Sequence, residues 1–458
     1  MRFSSPPCQR FWQALRRWVA VSAAFFGMLM WKSAGLLILG MPALAQTASP
    51  DIASAAQMKG LHLRDAERIA LRDNHDISLA RLGVEATAAA HEIAAAAPNP
   101  TVTVQTLGIN PRLGIGSGDL RSKTVDSAIR VDQLFERGDK RALREQNASF
   151  QLDASRLDSA DAARQLRVAV RQAYYDLMAV RDKARLIEQT VELYGSTVDA
   201  ARKRQRAGDL APSDVARLQV DALRARNDAT MAQAEVTRVQ HLLASLMGHN
   251  ALADNIVPGD DWPQLVTARK FDVDAIVAAR ADVRAAAARV KAAERGYRLA
   301  LAARTRDVSI GLQADHYPTS AMNQQGSGNS FSISIQIPLF LRYEFDGEIR
   351  SAAVALASAK ETRLKVVDAA NTEVFLTLHE RQVAAERLAR YESELMPAAI
   401  QSAAAAEFAF EHGAISIMDV LDVRRTLRQT QLDALDARVS FAKSSTVPLG
   451  PENEDSLQ

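Results

Sequence analysis

Residues 206–215 read RAGDLAPSDV and residues 411–420 read EHGAISIMDV, two stretches with one shared pattern. Gly208 corresponds to Gly413 at an offset of 205 residues, and an aspartate follows each glycine six positions later. An offset of this length exceeds the tens of residues of a solenoid repeat and indicates a duplicated architectural unit. The two halves of the chain are therefore expected to build equivalent parts of one object.

Small or apolar side chains recur at alternating steps of three and four residues on both sides of the first glycine. They run from Leu166 to Ala201 before it and from Val215 to Leu246 after it, and a similar run starts at Val420. This spacing is typical of a coiled-coil seam, and a strict seven-residue period indicates left-handed supercoiling. For any one segment the alternative is an amphipathic helix that faces a globular core. Together the segments predict very long helical hairpins.

The first 45 residues carry five basic residues and no acidic ones, and they contain an apolar run. They end on a small-x-small pattern that predicts a signal peptide cleaved between Ala45 and Gln46, the alternative being a retained membrane anchor. Cleavage changes the formal charge from +2 to −3, which leaves no basic excess to suggest a nucleic-acid partner. Cys8 is the only cysteine and lies in this segment, so no disulfide is expected.

Breaks in the pattern divide the rest of the chain. The first repeat, 46–257, is expected to contain a helix at about 63–97, strands near 101–107 and 124–135, and a hairpin that turns at 208–213. A linker covers 258–271. The second repeat, 272–443, is expected to contain a helix at about 272–303, strands near 307–317 and 330–337, and a hairpin from about 344 that turns at 412–416. A flexible tail is expected at 444–458.

The strands alternate between apolar and polar side chains, most clearly at 331–337, which read FSISIQI. In an exported protein, strands with one apolar and one polar face fit a membrane barrel with a wet interior. Two strands per repeat cannot close a barrel, because open strand edges cannot face lipid. This interpretation therefore requires several copies of the chain, whereas a soluble hairpin packed on its own helices is the alternative.

These features together resemble the TolC-like outer-membrane efflux family, and the resemblance extends over nearly the whole chain after residue 45. The family implies a homotrimer in outer-membrane lipid, with a 12-strand transmembrane β-barrel continued by a periplasmic α-helical barrel of coiled-coil helices. It also implies two partners, a periplasmic membrane-fusion adaptor and an inner-membrane RND transporter. The segments 133–141 (QLFERGDKR) and 338–349 (PLFLRYEFDGEI) resemble the branch for heavy-metal efflux, which exports cobalt, zinc, cadmium and nickel.

No residue pattern indicates an enzyme or a resident cofactor. The eight histidines are scattered and match no zinc or copper spacing, so solvated helix surface is the favoured interpretation for each. A duct for metal ions needs no tight ligands, because they would retain an ion that has to leave.

The second glycine turn is the candidate pore aperture. Asp419 and Asp422 are three residues apart and share one helix face. In the family the matching carboxylates line the periplasmic mouth, where threefold symmetry forms rings that select cations. The alternative is that the acids favour the positive end of a helix dipole. Phe410 and Ile415 replace a tyrosine and an arginine that family members can carry, which suggests a differently latched mouth.

The glycine turns are the far ends of the hairpins and the expected contacts for the adaptor; their residues are Gly208, Leu210, Asp214, Gly413 and Ile415. Both glycines are expected to adopt left-handed backbone conformations. The favoured function is a passive exit duct in a tripartite pump. The alternatives are a channel for drug efflux or type I protein secretion, and a periplasmic coiled-coil adaptor or scaffold without a pore.

Overall fold

The computed structural model describes residues 58–107, 125–208, 210–265, 271–317 and 328–445. The expected signal peptide, with Ala45 and Gln46, and nearly all of the expected tail lie outside these described residues. Within them the chain is mostly helical, and one order of elements occurs twice. None of the described helices combines the length and the hydropathy that a membrane crossing requires.

The first repeat opens with strand β1 (Lys59–Leu61) and helices α1 (Leu63–Asp73) and α2 (His75–Ala95). The predicted single helix over 63–97 is therefore wrong at Asn74, which lies between the two helices in an extended conformation. The Asn74 side chain accepts hydrogen bonds from two backbone N–H groups in the first turn of α2. An asparagine at this position satisfies donors that a helix start leaves free, so the break is stable.

Strands β2 (Thr101–Leu107) and β3 (Asp126–Phe135) come next, followed by the hairpin of α3 (Lys140–Ala207) and α4 (Pro212–Met247). The 68 residues of α3 extend over about 100 Å at about 1.5 Å per residue. Pro212 occupies the first turn of α4, where the missing N–H costs nothing. These elements coincide closely with the strands and the hairpin expected from the sequence.

The segment between the repeats contains regular structure that the sequence did not indicate. A short 3₁₀ helix (Asn250–Asn255) leads into strand β4 (Val257–Pro258), which pairs in parallel with β1. The predicted boundary between the first repeat and the 258–271 linker therefore falls inside a strand. The pairing was missed because so short a strand shows no period-2 pattern.

The second repeat begins with helices α5 (Val273–Ala279) and α6 (Ala281–Ala302), followed by strands β5 (Val308–Tyr317) and β6 (Gly328–Gln336). The predicted single helix over 272–303 is wrong in the same way as its counterpart, because the chain is not helical at Arg280. The break lies 206 residues after Asn74, so the repeat includes this detail.

The second hairpin consists of α7 (Asp346–Arg390), α8 (Met396–Glu411) and α9 (Ile417–Ser444). The first arm of this hairpin is helical from Asp346 to Glu411, close to the expected start at about 344, and it contains a π-helical turn at Tyr391–Leu395 between α7 and α8 that the sequence did not indicate. Pro397 follows directly; it has no backbone N–H and its ring crowds the preceding turn, and a wider turn relieves both effects.

Strands β2, β3, β5 and β6 form one antiparallel sheet in that order. The register places apolar residues together on one face, as in the row Val102, Val131, Leu312 and Ile333. The opposite face is polar, as in the row Thr103, Arg130, Gln313 and Ser332. The apolar face is uncovered, since Phe331 is 84 % and Ile333 74 % exposed.

The helices α2, α3, α6 and α7 lie side by side in that order. The predicted seam residues of α3 and α4 are buried between the helices, among them Val170, Leu177, Leu218 and Val239. Neighbouring helices thus pack through the heptad positions, and the two outermost helices of the layer are α2 and α7.

Candidate functional site

Both glycine turns have the backbone conformation expected from the sequence. Gly208 has φ +88° and Gly413 has φ +75°, and each accommodates the left-handed end of a helix. A Cβ added at either position would meet no atom within 4 Å. Glycine is therefore required by the backbone conformation and not by lack of space.

The other expected tip residues lie around these turns and are less exposed than the glycines. Leu210 packs against the apolar cluster between the hairpins, which includes Tyr194 and Leu218. Asp214 is half-buried in the first turn of α4, and Ile415 is half-buried between Gly413 and the start of α9. Of these five residues, only the two glycines are exposed.

Asp419 caps α9. Its carboxylate accepts hydrogen bonds from the backbone N–H and the hydroxyl of Ser416, at 2.9 and 2.7 Å. The Ser416 hydroxyl in turn accepts from the Asp419 N–H at 3.3 Å, which completes a capping box. The hydrogen bond from the Ser416 side chain is the main reason that the pKa of Asp419 lies below its ordinary value. Asp419 therefore has the helix-start role considered as the alternative, and it is ionised there.

Asp422 is paired rather than free. Its carboxylate accepts a hydrogen bond from Arg425 at 3.0 Å, although its side chain is 73 % exposed. Arg425 also forms an ion pair with Asp221 of α4 and donates a hydrogen bond to the Tyr194 hydroxyl of α3 at 3.4 Å. The hydrogen bond with Tyr194, followed by the nearby carboxylates, raises the pKa of the Arg425 guanidinium. One arginine therefore links Asp422, a predicted aperture residue, to the first hairpin.

Phe410 also contacts the first hairpin. The guanidinium of Arg204 lies over the Phe410 ring, 5.1 Å from its centroid. A cation above an aromatic face is attracted by the ring quadrupole. The structure thus brings Phe410, Asp419 and Asp422 to one end of the second hairpin, and each of the three contacts another side chain of the same chain.

Sequence reasoning missed Arg425, Asp221, Tyr194 and Arg204. A signal was present, because Arg424, Arg425 and Arg428 lie in one stretch of five residues in the second hairpin. The corresponding residues of the first hairpin are Gln219, Val220 and Leu223. This departure from the repeat marks the arginines as residues that only one hairpin carries.

A second polar cluster lies on the sheet. Arg130 pairs with Asp132 at 2.7 Å and donates to the Ser334 hydroxyl at 3.0 Å. These three side chains meet over Gly311, where an added Cβ would lie 2.4 Å from the Asp132 carboxylate. The polar face therefore carries a fixed hydrogen-bond network across three strands.

Across the described ranges, no group of three or more His, Cys, Asp or Glu side chains is arranged to hold a metal ion.

A family model described as outer membrane efflux protein matches residues 68–249 and 273–446. The two matched segments correspond to the two repeats and cover more than half of the chain. The chain belongs to the outer membrane efflux protein family. The family resemblance expected from the glycine turns and the strands is thereby confirmed.

The efflux protein is similar to the cobalt-zinc-cadmium resistance protein CzcC of Cupriavidus metallidurans. The two are 22 % identical over 333 residues, which is 70 % of this chain and 76 % of CzcC. This similarity supports the heavy-metal branch expected from the sequence.

Solved structures share the fold. A membrane protein from Pseudomonas aeruginosa is 19 % identical with a TM-score of 0.72, over 84 % of this chain and 92 % of the other. Structures of CusC, which concern transmembrane channel formation, are 16 % identical with a TM-score of 0.68, over 92 % of this chain and 99 % of theirs. At these identities the likeness concerns the fold: this efflux protein has the backbone of channel-forming relatives.

Proposed function

We propose that this efflux protein is the outer-membrane channel of a tripartite RND-type pump and serves as a passive exit duct for divalent heavy-metal cations. It works as a homotrimer that extends into the periplasm, where a membrane-fusion adaptor joins it to the inner-membrane transporter. The sheet carries this proposal, because it has one exposed apolar face, one polar face and two unpaired edges.

The unpaired edges support a closed assembly. Strands β2 and β6 are the outer strands of the described four-stranded sheet, and neither has a second partner among the described residues. Unpaired strand edges are excluded from the hydrocarbon of a membrane. Pairing of β6 with β2 of the next copy satisfies both edges, and three copies of four strands give a barrel of about twelve.

The helix layer has matching edges. The outermost helix α2 exposes large apolar side chains, and so does α7 at the other side. On α2 these include Leu79, Leu82 and Ile93; on α7 they include Val354, Leu364 and Phe375. Contact between α2 of one copy and α7 of the next buries both stripes and closes the ring in the same direction as the strands.

The polar face of the sheet supports a cation as cargo. Its charged residues are Asp126, Asp132 and Asp315 against Arg130. Acidic residues that line a pore favour cations over anions. Together with the similarity to CzcC, this excess supports divalent metals, with cobalt, zinc, cadmium and nickel as the candidates.

The test has three parts. Native mass spectrometry of the detergent-purified protein should show a trimer, and carbonate washing of membranes should not release it. In planar bilayers with a salt gradient, the reversal potential should have the sign of a cation-selective channel. Deletion of the gene should raise sensitivity to at least one of the four metals. A protein that carbonate releases is a scaffold, and a deletion strain sensitive only to drugs or defective in protein secretion exports another cargo.

A further inference from the structure

The apolar stripe of strand β6 continues beyond the sheet. Phe331, Ile333 and Ile335 lie on the uncovered apolar face, because alternate residues of a strand share a face. The strand ends at Gln336, and residues 337–345 connect it to α7; this segment is called the second junction. Its large exposed side chains keep to the odd positions of the stripe: Ile337, Leu339, Leu341 and Tyr343.

The second junction is tied to its own surroundings by two aromatic residues. The ring of Phe340 packs edge-on against Phe345, with 5.0 Å between the ring centroids. The Tyr343 hydroxyl donates a hydrogen bond to Glu348 at 2.5 Å and accepts one from the Gly347 N–H at 2.9 Å. These contacts fix the segment against the start of α7.

The two leucines of the second junction take no part in these contacts. Leu339 is 66 % and Leu341 83 % exposed, whereas Phe340 between them is half-buried. The Leu341 N–H donates a hydrogen bond to the Leu339 carbonyl at 3.1 Å, which closes a tight turn. A fixed turn therefore presents two leucines to whatever surrounds this end of the sheet.

The first repeat shows that a strand can lead into its helix without these leucines. Residues 134–137 read LFER and residues 339–342 read LFLR, at the same offset of 205. Glu136 is half-buried, and its carboxylate accepts a hydrogen bond from Arg144 at 2.7 Å. Leu341 takes its place in the second repeat and is exposed. The connection of strand to helix does not explain this replacement.

Two arginines lie beside the exposed leucines. Arg342 is exposed, and the guanidinium of Arg306 lies over the Phe340 ring, 5.7 Å from its centroid. Neither arginine has an ion pair with another described residue. Glu344, the acidic residue of the second junction, lies beside a third arginine, Arg304, which donates a hydrogen bond to its carbonyl at 3.0 Å. Apolar side chains thus meet unpaired positive charge at the end of the sheet.

We infer that the second junction binds an anionic phospholipid of the periplasmic leaflet, with Leu339 and Leu341 among the acyl chains and Arg342 on the phosphate. The inference rests on the proposed function, which places the sheet in the outer membrane and the helices in the periplasm. Tyrosine is favoured at the membrane interface, and a basic side chain there is attracted to anionic lipid. A zwitterionic lipid adds a positive charge to its phosphate and is the weaker ligand.

The next copy of the chain is a poorer partner for this surface. In the proposed ring β6 pairs with β2 of the next copy, so the second junction lies beside the residues that precede β2. These residues, 96–100, read AAPNP. They offer neither a carboxylate for Arg342 nor a large apolar side chain for Leu341.

The first experiment measures retention of phosphatidylglycerol and phosphatidylethanolamine by the full-length trimer in native mass spectrometry. The wild type should prefer phosphatidylglycerol. Arg342→Gln should lower that affinity about fivefold and leave phosphatidylethanolamine unchanged. Arg342→Lys should keep most of the preference, because lysine retains the charge. The matched control is Arg226→Gln, at an exposed arginine of α4, which should change retention less than twofold.

The second experiment locates the leucines. In vesicles with brominated phosphatidylglycerol, Leu341→Trp should show quenched tryptophan fluorescence above the wild-type background. Quenching should be weaker with brominated phosphatidylethanolamine, and Arg342→Gln in the same chain should remove the difference. Leu223→Trp is the control, because Leu223 is an exposed leucine of α4 and should not be quenched.

Three results overturn the inference. The first is equal retention of both lipids by the wild type, or an equal change in Arg342→Gln and Arg226→Gln. The second is unquenched fluorescence in Leu341→Trp, which would assign the leucines to the contact between copies. The third is loss of the trimer in both Leu341→Trp and Leu339→Trp. Bilayer conductance separates the two proposals: a conducting trimer without lipid preference refutes the lipid site alone, and a trimer that does not conduct refutes the duct.

Discussion

The guanidinium of Arg425 in α9 forms an ion pair with the carboxylate of Asp221 in α4 and so joins the two hairpins of one chain. The Asp221 side chain is only 13 % exposed, and the Tyr194 hydroxyl accepts a further hydrogen bond from the same arginine. Opening of the mouth by movement of the second hairpin would have to break this contact. We therefore propose that this contact takes the place of the polar ties that family members can carry at the positions of Phe410 and Ile415.

Arg425→Gln should raise the open probability of the channel in planar bilayers. A partly exposed ion pair contributes about 1 kcal/mol or less, so the ratio of open to closed channels should rise by up to about fivefold. Arg224→Gln is the matched control, because Arg224 lies near the same Asp221 carboxylate but within one helix, at 4.0 Å. Equal effects of the two substitutions would show that the contact between hairpins does not hold the mouth closed.

The aperture hypothesis predicts that replacement of both Asp419 and Asp422 by Asn removes cation selectivity and leaves the trimer intact. Asn retains an oxygen that can cap α9, so the helix start should survive. Two measurements test this effect: the reversal potential, and block by divalent cations added on the periplasmic side. In the wild type, added salt should reduce the cation selectivity, because exposed charges are screened over about 10 Å at 0.1 M. Selectivity like that of wild type would leave Asp419 with its capping role only.

A helix-stability control separates the two roles of Asp419. Asp419→Ala removes the charge and the Asp419 half of the capping box; it should cost up to about 1 kcal/mol of local helix stability, because the Ser416 N-cap remains, and amide hydrogen exchange at the start of α9 should be faster. Asp419→Asn should leave exchange nearly unchanged. Similar exchange in both variants would contradict the capping role.

Gly413→Val should abolish adaptor docking and leave the trimer assembled. A β-branched residue at φ +75° is strained by roughly 1–2 kcal/mol, so the turn should change conformation. Crosslinking to the adaptor and metal resistance measure the effect. Ala414→Val is the control, since it enlarges a neighbouring exposed residue without positive φ. Unchanged crosslinking in Gly413→Val would exclude this tip as the joint.

Gly311→Ala should destabilise the sheet by roughly 1–3 kcal/mol, because overpacking displaces the side chains that meet there. The new Cβ would lie 2.4 Å from the Asp132 carboxylate and 2.5 Å from the Ser334 hydroxyl. A lower temperature of trimer dissociation measures the loss. Gly83→Ala, in helix α2 with no atom within 4 Å of the added Cβ, should be neutral or slightly stabilising. Equal dissociation temperatures for the two variants would refute the close packing at Gly311.

The contact of β1 and β4 predicts a pH window of stability. Asp260 accepts hydrogen bonds from the Leu63 N–H at 2.6 Å and the Tyr174 hydroxyl at 2.8 Å, and contacts the His62 ring. The hydrogen bond with Asp260 raises the pKa of His62. Although burial acts in the opposite direction, the hydrogen bonds from Leu63, His62 and Tyr174 lower the pKa of Asp260.

The signs give the limits of this window. The stabilisation through His62 is complete below its ordinary pKa of about 6.5 and is lost as pH rises through the raised value. The stabilisation through Asp260 is present above its ordinary pKa of about 3.9 and is lost as pH falls through the lowered value. The melting temperature of the wild type should fall as pH rises through the raised pKa of His62, and that of His62→Gln should not. The same pH profile in both proteins would show that His62 does not contribute.

The sequence by itself determined the duplication, the long hairpins, the strands and the family, because each depends on a local period or on the offset between two motifs that share one pattern. Heptads over tens of residues have no other stable solution than paired helices, and both glycines carry positive φ as expected. The break at Asn74 and the π turn at Tyr391–Leu395 were missed, since one cap or one wide turn is too short to be seen in a pattern that extends over tens of residues.

Only the tertiary structure decided which charges meet. Arg425 and Asp221 are 204 residues apart, and Arg204 and Phe410 are 206 apart, so no window along the sequence contains either pair. Helix packing brings them within contact, whereas the Arg428 Nε has no hydrogen-bond partner among the described residues. Periodic burial is encoded locally, whereas the partner of a charged side chain is set by which helices the fold places side by side.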